Sequence, residues 1–230
     1  RSIIAFEQNQ FTMKGIIKLI SNAIIVIFTI QFLYIVMMTT YLFIKQPWPM
    51  SFLESLFHSV FLAASGFGNA GFEMFPTKNS FIIFQEKGLY FPQIITMLII
   101  FIGGVGFWPL AEVSLWIKAK FRREKFKFSY ISKLFVILHA TTLLITVIIF
   151  TLLEYNNTLN LKSPLTATFE VLFMSVAVRS AGFSNTNMTL WREPTKLFMA
   201  ILMFIGAAPN SSGGGIRLTT FVLVLSALYS

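Results

Sequence analysis

The sequence predicts an all-α integral membrane protein built as a tandem repeat, each unit reading span, short re-entrant helix, glycine turn, span. Three observations predict it. The 230 residues are 56% hydrophobic and only 12% charged, where a soluble domain carries about 25% charged residues. Too little polar surface exists to coat a water-soluble particle. Apolar runs cover 15–43, 89–117, 134–153 and 195–229, and about 20 apolar helical residues cross a bilayer core. The same order of pieces then occurs twice. Ala70-Gly71-Phe72 answers Ala181-Gly182-Phe183, and Phe101-Ile102-Gly103 answers Phe204-Ile205-Gly206. Self-similarity at matched positions marks a repeat architecture.

Each element follows from its residues. Residues 1–14 are polar and mixed in charge, a lead-in expected in the cytoplasm. The span 15–43 has Lys14 and Lys18 at its start and Tyr41 and Lys45 at its end. Gln46-Pro47-Trp48-Pro49 breaks it, because proline lacks a donor and disfavours helix before it. Residues 51–65 are apolar but too short to span, which predicts a re-entrant helix. A glycine turn follows at 66–72, then a polar loop with Pro76, then the span 89–117; together 15–117 form the first unit. Residues 118–133 are a basic loop. The second unit, 134–230, has spans at 134–153 and 195–229, a short helix at 164–178 and a turn at 179–183. Pro164 sits near the first turn of the short helix, where its missing donor does no harm. The last span is interrupted at 206–217, where Pro209, Gly213, Gly214 and Gly215 cannot hold a regular helix at low cost. Two spans per unit return the chain to its starting side, so the two units run parallel.

The formal charge of +9 raises a nucleic-acid reading, which the distribution of charge excludes. Lys118, Lys120, Arg122, Arg123, Lys125, Lys127 and Lys133 bunch between apolar runs, with no polar basic domain to carry them. A short basic loop between spans is the positive-inside signature and puts 118–133 in the cytoplasm. Cysteine is absent, which excludes disulfides, thiolate metal sites and a cysteine nucleophile. The chain starts at Arg1 rather than Met and stops at Ser230 inside an apolar run, so a fragment is expected.

The repeated turn carries the chemistry. Irregular backbone at membrane depth is tolerated only where it is buried in protein or lines water. A short helix ending there points unpaired carbonyls beyond its C-terminus, and that partly negative end favours a cation. An extended glycine-containing strand turns more carbonyls inward, and rings of such oxygens can replace the water shell of an alkali cation. Gly71 and Gly182 answer the need for backbone that a Cβ would obstruct. The broken run at 206–217 belongs to the same logic, because such breaks mark functional segments in transporters.

Ser65-Gly-Phe-Gly-Asn-Ala-Gly-Phe72 resembles the second filter segment of the Trk/Ktr/HKT potassium transporter superfamily, and Arg179-Ser-Ala-Gly-Phe-Ser-Asn-Thr186 resembles the third. Phe204-Ile-Gly-Ala-Ala-Pro-Asn-Ser-Ser-Gly-Gly-Gly-Ile-Arg-Leu-Thr-Thr220 is similar to the intramembrane loop of that family, except that Arg217 and Leu218 stand where Lys and Thr are usual. The resemblance covers essentially the whole chain and is nearest to the bacterial Ktr-type membrane subunit. It implies a potassium-channel-like fold of four pore units, of which this chain holds the second and third. It implies that carbonyls around Asn69, Ala70 and Gly71, and around Ser180, Ala181 and Gly182, line a selectivity filter. It implies a gate built from Gly206, Gly213, Gly214, Gly215 and Arg217. The implied cargo is potassium, held by backbone carbonyls only and with no cofactor. The implied partners are the remaining units of the subunit, a second subunit in a homodimer and a cytosolic nucleotide-binding regulatory ring. The implied location is the plasma membrane.

Glu170, Arg179 and Arg217 are the ionisable residues deepest in apolar context, and such residues are functional candidates. Glu170 and Arg179 are expected either to pair and brace the filter or to take separate solvated roles, and Arg217 is a candidate cationic barrier. Glu112 reads as a solvated helix end. Gly66, Gly68 and Gly71 match a dinucleotide fingerprint but follow a helix rather than a strand, which excludes it. His58 and His139 lack metal-ligand spacing, and no nucleophile–base set appears, so no enzyme is expected. Asn156-Asn157-Thr158 matches a glycosylation sequon and carries no weight alone. Two other readings stand beside the pore. One is a secondary transporter with broken helices, which often has inverted rather than parallel repeats. The other is a non-transporting assembly subunit.

Overall fold

The computed structural model describes residues 13–75, 80–179 and 181–229, and all regular structure within them is helical. The lead-in therefore lies outside the described residues up to position 12, as does Ser180. Helix α1, Met13–Lys45, runs for 33 residues, a length of about 50 Å. One stripe, with Ala23, Tyr34, Met38 and Leu42, is buried, while Phe28, Phe32, Leu33, Val36 and Ile44 are exposed. A helix apolar on both its packed and its open faces suits lipid rather than water. The Tyr34 hydroxyl is paired with Thr96 Oγ1 at 2.8 Å, so its polar end is satisfied inside the bundle.

Helix α2, Phe52–Phe67, starts at the break after α1 and is closed by a reciprocal cap. Ser51 Oγ accepts from Glu54 N–H at 3.3 Å, and Glu54 Oε2 accepts from Ser51 N–H at 2.7 Å. Short helix α3, Ser80–Glu86, leads to α4, Tyr90–Val105, and α5, Phe107–Phe121. The run read as one span at 89–117 is thus broken, with a change of direction of 104°. The cause is Gly106, at φ +98° and ψ 162°, which ends one helix and opens the next in a conformation that disfavours any side chain. Pro109 falls in the first turn of α5, where no donor is missed. Glu112 is not a solvated end. It is fully buried in α5, and its Oε2 accepts from Ser129 N–H at 3.0 Å. Lys118 Nζ donates to Asn22 Oδ1 at 2.9 Å and ties α5 to α1.

Helix α6, Tyr130–Glu154, begins at its Ser129 cap and continues into a π-helical turn, Tyr155–Leu159. Helix α7, Pro164–Ala177, has Ser163 as N-cap and proline at its first position. Helices α8, Glu193–Phe204, and α9, Leu218–Tyr229, have 12 residues each, and the run read as 195–229 is open between them. By length and composition, α1 and α6 are each able to cross a membrane, and the bent pair α4–α5 together makes a third such segment.

Two apolar clusters hold these helices. The first joins Tyr34, Met38, Leu62, Phe81, Phe84, Ile99, Phe173 and Phe183. The second joins Phe150, Met174, Val178, Trp191, Met199 and Leu202. Helix α7 contributes to both, with Phe173, Val176 and Ala177 on one side and Val171 and Met174 on the other. A 14-residue helix packed on both sides cannot slide or tilt freely, so its C-terminal end is held in place.

Candidate functional site

Both short helices unwind into glycine turns, and the two turns meet. After α2, Gly68 N–H bonds Ala64 O at 2.8 Å, Asn69 N–H bonds Gly66 O at 3.2 Å and Ala70 N–H bonds Ser65 O at 2.9 Å. The chain then passes through left-handed Asn69, φ +51°, and Gly71, φ +72°. Asparagine is among the few side chains that accept this region. The Ser65 hydroxyl takes the next free donor, Phe72 N–H, at 2.8 Å. After α7, Ala181 and Gly182 N–H both bond Ala177 O, at 2.9 and 3.3 Å, and Gly182 has φ +76°. A β-carbon on Gly71 would lie 2.4 Å from Ala181 O and 2.7 Å from Gly182 Cα. One on Gly182 would lie 3.3 Å from Gly71 Cα. The two main chains therefore touch. Among the described residues, no hydrogen bond is donated to the main-chain oxygens of Asn69, Ala70, Gly71, Ala181 or Gly182.

The interrupted segment 205–217 packs beneath the first turn. Ile205 and Ile216 form an isolated parallel bridge, with Gly206 N–H to Ile216 O at 2.9 Å and Ile216 N–H to Phe204 O at 3.0 Å. A β-carbon on Gly206 would sit 1.8 Å from Gly214 O, so only glycine closes this loop. Gly215 adopts φ +81°. Arg217 Nη1 donates to Gly213 O at 2.7 Å, which spends its charge on its own loop. The loop is bonded to the α4–α5 bend: Ala208 N–H to Gly104 O at 3.1 Å, Ser212 N–H to Gly103 O at 3.3 Å, and Phe107 N–H to Asn210 O at 2.9 Å.

The expected Glu170–Arg179 pair does not form. Glu170, fully buried, receives Lys162 Nζ, Thr186 Oγ1 at 2.8 Å and Trp191 Nε1 at 3.3 Å. It ties α7 to the segment after the second turn. Arg179, 3% exposed, donates to Thr142 Oγ1 and lies 3.3 and 3.5 Å from the two ring nitrogens of His139. The two side chains leave α7 in different places, Glu170 in mid-helix and Arg179 beyond its C-cap, and nearer partners take each. A cavity of about 10 Å³, no larger than one water, lies among Asn69, Gly104, His139, Arg179 and Ala207. Outside the spans, burial pushes the Glu73 carboxyl above its ordinary value, against a hydrogen bond from Ser80 N–H at 2.7 Å.

A family model described as "TrkH: Cation transport protein" matches residues 6–230. This chain belongs to the TrkH family. Its relatives include Ktr system potassium uptake protein D of Bacillus subtilis, 36% identical over all of this chain and 49% of the relative. Ktr system potassium uptake protein B of Vibrio alginolyticus is 30% identical over 97% of this chain and 46% of the relative. The chain thus spans about half the length of the curated relatives it matches. The crystal structure of the potassium transporter TrkH from Vibrio parahaemolyticus superposes with a TM-score of 0.55, at 16% identity, over 84% of this chain and 37% of that one. That likeness supports the all-helical fold.

The TrkH-family chain also carries functional candidates that sequence reasoning passed over. Gln93, fully buried, donates to Gln85 Oε1 at 2.7 Å and accepts from Asn185 Nδ2 at 2.9 Å, while Gln85 donates to Thr166 O at 2.7 Å. This network joins α3, α4 and α7 to the segment after the second turn. A lone glutamine inside the apolar run after Leu89 was its one visible signal. His139 stood out only as a lone histidine without metal-ligand spacing, and Ser212 only as one residue of the interrupted segment 206–217.

Proposed function

We propose that this chain supplies two pore units of a channel-like potassium-translocating subunit in the plasma membrane. The observation that carries the reading is the meeting of two glycine turns whose main-chain oxygens take no hydrogen bond among the described residues. Oxygens of Asn69, Ala70, Gly71, Ala181 and Gly182, and of Ser180 outside the described residues, substitute for the hydration shell of the ion. The C-terminal ends of α2 and α7 add partial negative charge at the same place. Selectivity then rests on carbonyl number and field rather than on a charged side chain. The segment 206–217 acts as the gate, with Gly206, Gly213, Gly214 and Gly215 allowing it to fold back within the membrane. Potassium as the cargo accords with the names of the Bacillus and Vibrio relatives.

Residues 118–133 face the cytoplasm on the positive-inside argument, with 1–14 on the same side. The other units of the same subunit complete the ring, a second subunit forms the homodimer, and a cytosolic nucleotide-binding ring regulates it. The test is rubidium uptake by the full-length protein in cells lacking other potassium uptake. Gly71→Ser and Gly182→Ser must each abolish it while the protein still reaches the membrane. Uptake that survives both substitutions rejects the filter; uptake that requires a co-substrate gradient favours a coupled transporter.

A further inference from the structure

We propose that Arg179 is a fixed positive charge built in behind the second turn, which loosens cation binding on that side and makes the field of the pore one-sided. The two units differ at one matched place. Two residues before Ala70 stands Gly68, the C-cap of α2. Two residues before Ala181 stands Arg179, next after Val178, the C-cap of α7. The repeat thus puts a cation at one helix end and no side chain at the other. Arg179 is buried, donates to Thr142 Oγ1 and lies against both ring nitrogens of His139. A neutral imidazole has only one bare nitrogen, so at most one of those two contacts is a hydrogen bond. The Nε of Arg179 has no partner among the described residues. No carboxylate among them pairs with the guanidinium, and Glu170 is spent on Lys162, Thr186 and Trp191. The cavity beside Arg179 is too small for a hydrated counter-ion, and Asn69 of the first turn lines the same cavity.

A guanidinium without a carboxylate at membrane depth is costly. What balances it here is the C-terminal end of α7, whose partly negative carbonyls favour a cation just beyond the last turn. Field taken up by Arg179 is withheld from an ion on the axis, while the end of α2 keeps its own. The charge also repels a passing cation directly, and surroundings of low dielectric carry that repulsion further than water would. Looser binding speeds release, and conduction needs sites that the ion can leave. The carbonyls still choose among alkali ions, because one unit charge acts alike on every monovalent cation.

This inference rests on the filter reading above. The test is rubidium flux through full-length protein in liposomes, with sodium as competitor. Arg179→Met keeps an unbranched stem and removes the charge. It lowers the rubidium concentration for half-maximal flux roughly three- to fifteenfold, the effect of one unit charge about 10 Å away at an effective dielectric of about 20–50. The sodium concentration for half inhibition falls by the same factor. His139→Asp keeps Arg179 and gives it a carboxylate partner, so it shifts both concentrations in the same direction. It serves as the readout where Arg179→Met fails to reach the membrane. Unchanged half-maximal concentrations in these variants overturn the proposal, as does a change in maximal flux alone, which marks a structural role. A rubidium-to-sodium ratio that moves also overturns it, since that means reshaped carbonyls. Gly71→Ser and Gly182→Ser separate the two readings. If they abolish flux while the charge variants shift nothing, the filter stands and the role of Arg179 falls. If flux survives them, the filter reading fails first.

Discussion

At the scale of single residues, the two turn glycines are not equivalent. Both need positive φ, which costs an L-residue about 1–2 kcal/mol. Among the described residues, a methyl on Gly182 comes no closer than 3.3 Å to a neighbour, whereas one on Gly71 lies 2.4 Å from the Ala181 carbonyl oxygen. Gly71→Ala is therefore expected to be the more damaging, with rubidium flux near background, and Gly182→Ala is expected to retain a measurable fraction. Equal loss in both would show that conformation alone matters. Glu170 and Arg179 make a second residue-scale case. They share no partner among the described residues, so Glu170→Gln and Arg179→Gln should change thermal stability additively, within about 0.5 kcal/mol. A larger coupling energy in a double-mutant cycle would restore the direct pair that the geometry denies.

At the scale of elements, α7 is the piece on which the second turn depends. Its cap is a single serine whose hydroxyl accepts from Thr166 N–H at 3.3 Å. Ser163→Ala is expected to cost about 1 kcal/mol, read as a lowered unfolding midpoint in detergent. The polar network behind α7 matters more. Asn185→Leu leaves Gln93 Oε1 without its buried donor, and an unsatisfied buried group costs about 1–3 kcal/mol. The expected order of destabilisation is Asn185→Leu above Ser163→Ala; the reverse would mean that the network is solvated. The broken helix α4–α5 follows the same rule as the turns. Its bend is a glycine whose β-carbon would meet Pro209 O at 2.7 Å, so the bend and the loop of the next unit require each other.

At the scale of the whole molecule, two turns touch where the proposed four-unit pore needs four. The chain spans about half the length of its curated relatives. On the proposed reading, two units bring two sets of carbonyls together and cannot by themselves surround an ion on every side. Residues 1–230 expressed alone are expected to give no rubidium flux above that of empty liposomes, while the full-length protein conducts. Flux through the isolated two-unit chain would show that it assembles with itself to complete a ring. The outward face of α1, with Phe28, Phe32 and Ile44 exposed, is expected to label with a lipid-soluble carbene probe, unlike Met38 and Leu42 behind it.

Much of this was legible in the residues alone. Run lengths, the repeated Ala-Gly-Phe turn and the helix-breaking Pro209 to Gly215 are local properties, because helix geometry and membrane thickness act on neighbours in sequence. The meeting of the turns, the 104° bend, and the partners of Glu170, Glu112 and Arg179 were decided only in three dimensions. A buried polar group takes whichever donor or acceptor packing brings near. For Ser212 and Phe67 that choice was made across 145 residues, beyond the reach of any local pattern.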